Sequence, residues 1–445
     1  MLRSAKRGRF GRDPMPPRPD PAIGRPRSAT NFTLAVIAFA AAFGSIWAID
    51  PAYHPGLTQF IAYLPLVPCL VVVLVIALAE RVFPRLGTHS TGALMRSARR
   101  SLDLRRVAVR LCGLLATLCL ILFIYWLFPE YSGAFYAPFW QFLRSIAPVA
   151  VLVPLYFMWA DTHLQDPEDE YLSFGYLVLG QVNRTRWSLV RHHLLSWGVK
   201  GFFLPLMSVY LNEEMHALFD ISTSIAHGNW SSFDLFYHLS YCADLLFCVV
   251  GYATSMRLLD SQIRSVEPTV FGWLVALVCY QPFYSVIGKY YLRYDDSIYW
   301  DNWLQPWPTV RAAWGFLVIV LTCTYALCTV SFGLRFSNLT HRGIITAGPY
   351  RFSKHPAYLA KNLSWWLISV PFISDQGIAE ALRNCCLLAL LNLLYYVRAR
   401  TEERHLSRDP VYVAYALWMN EHGLLRGLAR LLPFMRYRAP VGMIG

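Results

Sequence analysis

Two stretches near the carboxy terminus carry residues whose types and spacing suit chemistry. The first, THRGIITAGPYRFSKHPAYLAKN at 340–362, combines Arg342, Arg351, Lys354 and His355 with Gly343, Gly348, Pro349 and Pro356. Glycine permits backbone conformations and close approaches that other residues resist, and proline stiffens the path. Such a loop can present backbone amides and basic side chains to a polar ligand. A plain basic connection would explain the charges and glycines, but not the tight His355-Pro356-Ala357-Tyr358 unit set directly before an apolar stretch. In the second stretch, YYVRARTEERHL, Arg398 and Glu402 are four apart, which on a helix puts both on one face about 6 Å apart at Cβ. A surface salt bridge is the ordinary account of that spacing. The pair, however, leaves an apolar segment toward the same side as the loop, so the two elements can close around one site. Glu403 and Arg404 continue the polar face, and Tyr412 and Tyr415 follow on the tail.

The elements that must hold these residues are membrane helices. The 445 residues are 56% hydrophobic and only 15% charged, with a mean hydropathy of +0.37, whereas a soluble domain carries about a quarter charged residues. That composition excludes a soluble enzyme, and the apolar content excludes a disordered chain. A bilayer core needs about 20 apolar residues per helix. Stretches of this kind lie near 31–49, 59–80, 109–128, 142–160, 195–211, 235–256, 267–287, 310–330, 358–373 and 381–397. The expected fold is an all-α polytopic transmembrane bundle of about ten spans. Basic residues stay on the cytoplasmic side of short loops. They crowd the leader (Arg3, Lys6, Arg7, Arg9, Arg12, Arg18, Arg25, Arg27), the loop from Arg81 to Arg106 and the tail after 397, while 50–58, 129–141, 212–234 and 374–380 have none. Both termini are therefore expected in the cytoplasm, in a cell inner membrane, and the net charge of +13 marks that face instead of a nucleic-acid partner. The leader lacks a signal-peptide pattern and reads as a basic disordered arm over 1–30.

Elsewhere the sequence offers weaker signals. All ten cysteines fall within the expected spans and read as buried apolar thiols. The cluster Asp161, His163, Asp166, Glu168, Asp169 and Glu170 fits no defined metal spacing, and a solvated acidic loop is expected. His238 and Asp244 inside a span are costly enough to be candidates, with hydrogen bonds between helices the bland alternative. Arg257, Asp260, Arg264 and Glu267 have the spacing of pairs on one helix face. Composition changes at 295–308, a segment rich in Trp, dividing an amino-terminal membrane region (31–300), whose role the sequence leaves open, from a carboxy-terminal core (301–445) that holds the motifs.

That core resembles the isoprenylcysteine carboxyl methyltransferase family and related phospholipid methyltransferases, over roughly 310–435. The text that carries the resemblance is Lys354-His355-Pro356-Ala357-Tyr358-Leu359-Ala360, then Arg398-Ala399-Arg400-Thr401-Glu402-Glu403, then Tyr412, Tyr415 and Pro433. Lys354 stands where the family has Arg, and Ala360 where it has Gly. The resemblance implies a pocket for S-adenosylmethionine at the cytoplasmic face. Its contacts would be Arg342, Gly343, Ile344, Ile345, Tyr350, His355, Pro356, Ala357, Tyr358 and Glu402, with Arg398 facing a lipophilic acceptor from the bilayer; Arg398 and Glu402 are the expected catalytic pair, and no metal is implied. An alternative is an NADPH-dependent reductase of lipid double bonds, since sterol reductases share a similar His-Pro-x-Tyr unit, but the Arg-x-x-x-Glu-Glu spacing favours the methyltransferase. The acceptor stays open among a prenylated cysteine, a phospholipid amine, an isoprenoid acid and a small thiol, as does the oligomeric state.

Overall fold

A computed structural model describes residues 24–51, 53–82, 101–164, 166–296 and 298–440. The chain runs through α1 (Phe32–Ala48), α2 (Leu66–Val82), α3 (Leu104–Leu127), α4 (Ala137–Ile146), α5 (Leu152–His163), α6 (Glu170–Val178), α7 (Trp187–Ala226) and α8 (Ser232–Ala253). It continues through α9 (Val270–Leu277), α10 (Phe283–Tyr290), α11 (Trp300–Trp303), α12 (Pro308–Val330), α13 (Pro356–Ser369), α14 (Ile378–Leu406), α15 (Pro410–His422) and α16 (Arg426–Leu431). Two-residue strands, β1 (Ser265–Val266) and β2 (Thr340–His341), pair antiparallel. The fold is otherwise all-α. Most of the basic leader (1–23) and of the basic loop (83–100) lie outside the described residues.

Among the described residues six helical runs are long and apolar enough to cross a membrane, namely Leu104–Leu127, Ala134–His163, Trp187–Ala226, Ser232–Ala253, Pro308–Val330 and Ile378–Leu406, with shorter apolar helices at Phe32–Ala48 and Leu66–Glu80. Two expected spans differ in form. The stretch 267–287 is broken into α9 and α10, because Pro282 has no amide to donate to a helical hydrogen bond. The stretch 358–373 shortens to α13, which ends where Val370 turns to φ +38 before Pro371. Conversely, the stretch expected at 195–211 sits within α7, 40 residues long and so about 60 Å end to end.

The core is where α7, α8, α12 and α1 meet. Val199, Phe203 and Leu206 of α7, Cys242, Leu246 and Phe247 of α8, Ala326 and Val330 of α12, and Ala38 and Ala42 of α1 are all buried there. A second close packing joins α3 to α6, where the backbones approach so nearly that a Cβ on Gly175 would fall 2.1 Å from Val109 O and one on Gly113 2.5 Å from Tyr171 O.

Polar residues in the amino-terminal region are spent on structure. The acidic cluster is not a solvated loop: Arg110, fully buried, bonds Asp161 (2.6 Å), Asp169 (3.0 Å) and the Pro167 carbonyl, and Arg106 bonds Asp161 (2.9 Å). Glu170 takes Arg257 (3.2 Å), while only Asp166 and Glu168 remain at the surface, beside Arg186. The expected one-face pairing over 257–267 does not form, because this segment is not one helix. Arg257 goes to Glu170, Asp260 to Arg335 and Glu267 to Arg404. His238 and Asp244 do make hydrogen bonds between helices, His238 with Glu214 (2.8 Å) and Asp244 with Tyr325 (3.0 Å) and Thr329. The ten cysteines are free thiols; Cys119 and Cys386 are exposed.

Gly175→Ala should lower the thermal midpoint of the detergent-solubilised protein by several degrees, since overpacking typically costs about 1–3 kcal/mol. Gly44→Ala in α1, where a Cβ meets nothing within 4 Å, should not lower it. Equal midpoints for the two variants would contradict the described α3–α6 contact.

Candidate functional site

The loop between α12 and α13 is shaped by one buried arginine. Arg342, 3% exposed, sends Nε to the carbonyl of Ser261 (2.6 Å), Nη1 to those of Gly251 and Phe336 (2.8 Å each) and Nη2 to those of Leu334 (3.0 Å) and Ser261. Burial, with Arg335 nearby, pushes its pKa down to about 9, which leaves it charged at neutral pH. The guanidinium thus organises backbone, and only the rest of the residue remains to touch a ligand. The β1–β2 ladder adds Arg264 N–H to His341 O and Glu267 N–H to Leu339 O, 2.8 Å each. On its other side the loop is lined by the end of the basic leader. Ala29 N–H donates to Ile344 O (2.8 Å), Thr346 N–H to Ser28 Oγ (3.2 Å) and Thr346 Oγ1 to Pro26 O (2.7 Å). Gly343 (φ +117) and Gly348 (φ +60) hold left-handed conformations that favour glycine, and a Cβ on either would strike Ala29 or Phe32.

The cavity behind this loop has an outer tier, where the start of α13 faces the end of α14. Glu403 gathers Lys354 (2.6 Å), His355 Nε2 (3.1 Å) and Arg400. Burial pushes the Lys354 ammonium below its ordinary value, with Glu403 opposing the shift. Lys354, in the place of the family's Arg, therefore still works as a cation, tying the loop to α14. Glu402, one residue before, is left open to the cavity. Among the described residues its carboxylate accepts one hydrogen bond, from Tyr358 OH (2.9 Å), and His355 Nδ1 is 4.0 Å away. The His355 and Tyr358 rings stack at 5.7 Å. From α15, Tyr415 OH donates to Tyr350 O (2.5 Å) and Ser353 O (3.1 Å), so the tail closes on the loop. Tyr412 is buried with a hydroxyl that has no hydrogen-bond partner among the described residues, and it lines the same cavity.

About one turn deeper lies an inner tier. Arg398, 7% exposed, donates Nη2 to Asn338 Oδ1 (2.6 Å) and Tyr280 OH (3.3 Å), and its guanidinium lies 5.3–5.8 Å from the ring centres of Tyr280, Tyr358 and Tyr395. No carboxylate among the described residues lies within ion-pair distance of it. The four-residue spacing to Glu402 is thus not used for a salt bridge. Instead the two side chains take different tiers.

All the sequence-predicted site residues except Pro356 line this one cavity: Arg342, Gly343, Ile344, Ile345, Tyr350, His355, Ala357, Tyr358, Arg398 and Glu402. Pro356 is buried as the first residue of α13. Sequence reasoning missed Tyr280, Asn338 and Lys361, which also line it, and gave Glu403 no role. Tyr280 comes from the broken 267–287 segment, so the amino-terminal region contributes wall to the site. Substituting Glu403→Gln removes the buried carboxylate that half-buried Lys354 and His355 share, and breaking a buried pair costs about 3–5 kcal/mol. It should lower the thermal midpoint far more than Arg400→Gln, whose side chain is 40% exposed; equal small effects would contradict the tie.

Comparison with known proteins bears on the same region. No curated protein and no solved structure matches the chain. Residues 314–408, from α12 to just past the end of α14, match the isoprenylcysteine carboxyl methyltransferase (ICMT) family. That interval holds the loop, His355, Tyr358, Arg398 and Glu402, and leaves the amino-terminal region unmatched. The carboxy-terminal portion of this multi-pass membrane protein is therefore an ICMT-family domain, and such a domain implies a methyltransferase that uses S-adenosylmethionine.

Proposed function

We propose that the cavity holds S-adenosylmethionine in its outer tier and a lipophilic acceptor from the bilayer in its inner tier, with the opening toward the cytoplasm. The observation that carries this reading is the division of charge within one enclosure. An open carboxylate, Glu402, stands above a buried guanidinium, Arg398, that has no acid partner among the described residues.

The residues present fit the cofactor. Glu402, already oriented by Tyr358, receives an ammonium. The buried Tyr412 hydroxyl, without a partner among the described residues, is a donor for a carboxylate. His355, its Nε2 engaged by Glu403, presents the Nδ1 edge and holds the Tyr358 ring by stacking. The faces of Tyr350 and Tyr358 suit a cation. Pro356 fixes the first turn of α13, and Ala357 leaves room beside Tyr358. When bound, the cofactor supplies a methyl group on a positively charged sulfur, and its transfer to an anionic oxygen needs no general acid or base. The protein's contribution is then to hold the acceptor in line and keep water out. Arg398 does the first by pairing an anionic acceptor through its planar fork, and the aromatic wall of Tyr280, Tyr358 and Tyr395 does the second.

Calorimetry with S-adenosylmethionine on the purified protein tests the outer tier. Binding to the wild type and at least a tenfold loss in Glu402→Ala are expected; no wild-type binding, or full binding by the variant, would sink the assignment. Arg398→Ala should keep cofactor affinity within about twofold while cutting transfer of labelled methyl into extracted membrane lipid and lipidated protein by more than tenfold. Equal losses in both would contradict its place on the acceptor side.

A further inference from the structure

The inner tier contains a second cation, one that belongs to neither sequence motif. Lys361 lies on α13 three residues after Tyr358, about 4.5 Å further along the helix and away from the mouth. Its ammonium stands over three rings, at 5.1 Å from the centre of Tyr325, 5.3 Å from Trp365 and 5.9 Å from Tyr395. Among the described residues it makes no hydrogen bond and no ion pair. Asp244, the acid whose charge acts on it, takes its hydrogen bonds from Tyr325 OH (3.0 Å) and Thr329 and not from Lys361.

Tyr395 is also one of the rings beneath Arg398, at 5.8 Å. The two arms of the α13–α14 hairpin thus each send a cation to the same aromatic side chain, and both line the same cavity. Two like charges sharing one aromatic ring repel, and aromatic faces offset little of the lost hydration. An anion between them removes both penalties. An amine or a neutral headgroup removes neither, and an amine adds a third positive charge.

We infer that Lys361 is a specificity-determining residue which, with Arg398, forms a two-cation receptor for the anionic headgroup of the acceptor, so that the acceptor is an acidic lipid bearing a carboxylate or phosphate at that depth. This rests on the proposed function only for calling the ligand an acceptor; the receptor itself rests on the geometry. The layering of the hairpin is consistent with it. Lys354 and His355 meet Glu403, Tyr358 meets Glu402, Lys361 and Arg398 share Tyr395, and Trp366 bonds Asn392 (3.0 Å). The cations therefore form a tier of their own below the carboxylates.

The test is binding of three probes that share one apolar chain, farnesyl phosphate, farnesoic acid and farnesol, to the full chain in detergent, with and without S-adenosylmethionine. The wild type should bind at least one anionic probe tenfold or more tighter than farnesol, and the tighter of the two anions identifies the headgroup. Lys361→Gln should lose about tenfold of that preference with farnesol and S-adenosylmethionine affinities unchanged, and Lys361→Arg should keep it. A purely structural lysine would leave the ratio of anionic to neutral probe where it was. Asp244→Asn, which removes that acid, should raise anion affinity, and it serves if Lys361→Gln does not fold. No anion preference in the wild type, or an unchanged preference in Lys361→Gln, overturns the proposal, as does unchanged or weaker anion binding by Asp244→Asn. Anion preference without S-adenosylmethionine binding would instead overturn the cofactor assignment and leave the receptor standing.

Discussion

The arrangement depends on a guanidinium buried, among the described residues, without a paired carboxylate. Removing a charge from water is expensive, and a buried ion is normally paired; the described partners of Arg398 are neutral, the carbonyl oxygen of Asn338, the hydroxyl of Tyr280 and three aromatic rings. These hold its orientation and keep its charge available. Much of the surrounding architecture serves that end. The break between α9 and α10 brings Tyr280 within reach, and the turn after α12 delivers Asn338, which also meets Tyr252 and Tyr280.

The outer tier solves a different electrostatic problem. Two adjacent glutamates of α14 are given opposite fates. Glu403 is consumed by Lys354, His355 and Arg400, so it fastens the loop to the helix, while Glu402 faces the cavity. The loop can lie this close because Arg342 ties it to the carbonyls of Ser261 and Gly251 on one side and glycines at 343 and 348 let Ala29 and Phe32 press against it on the other. The end of the leader is thereby part of the wall of the site.

What the sequence made legible was local. The His355–Tyr358 unit and the Arg398/Glu402 spacing each lie within a few residues, where helix periodicity and turn chemistry apply, and both arrive in one cavity. The all-α membrane fold was legible from apolar runs, and the hydrogen bonds of His238 and Asp244 were weighed correctly. The rest depended on partners far apart in the chain. Arg342 reads as a ligand contact, but its hold on backbone carbonyls 81 and 91 residues away has no local signal. Tyr280 lies in a stretch whose apolar content masks the interruption at Pro282. Asp161 and Asp169 read as solvated because nothing in their own segment reveals Arg110, 51 and 59 residues earlier. Lys361 was hidden by its surroundings, a lone basic residue in an apolar helix with no motif to single it out.

The central claim is that one enclosure separates a carboxylate tier for S-adenosylmethionine from a cationic tier for its acceptor. The most direct measurement is an experimental structure of the full chain bound to S-adenosylhomocysteine. The account predicts ligand density in the outer tier, its amino group within hydrogen-bond distance of Glu402 and its sulfur directed toward Arg398. Density elsewhere on the protein, or in this cavity with the amino group directed away from Glu402, would contradict it.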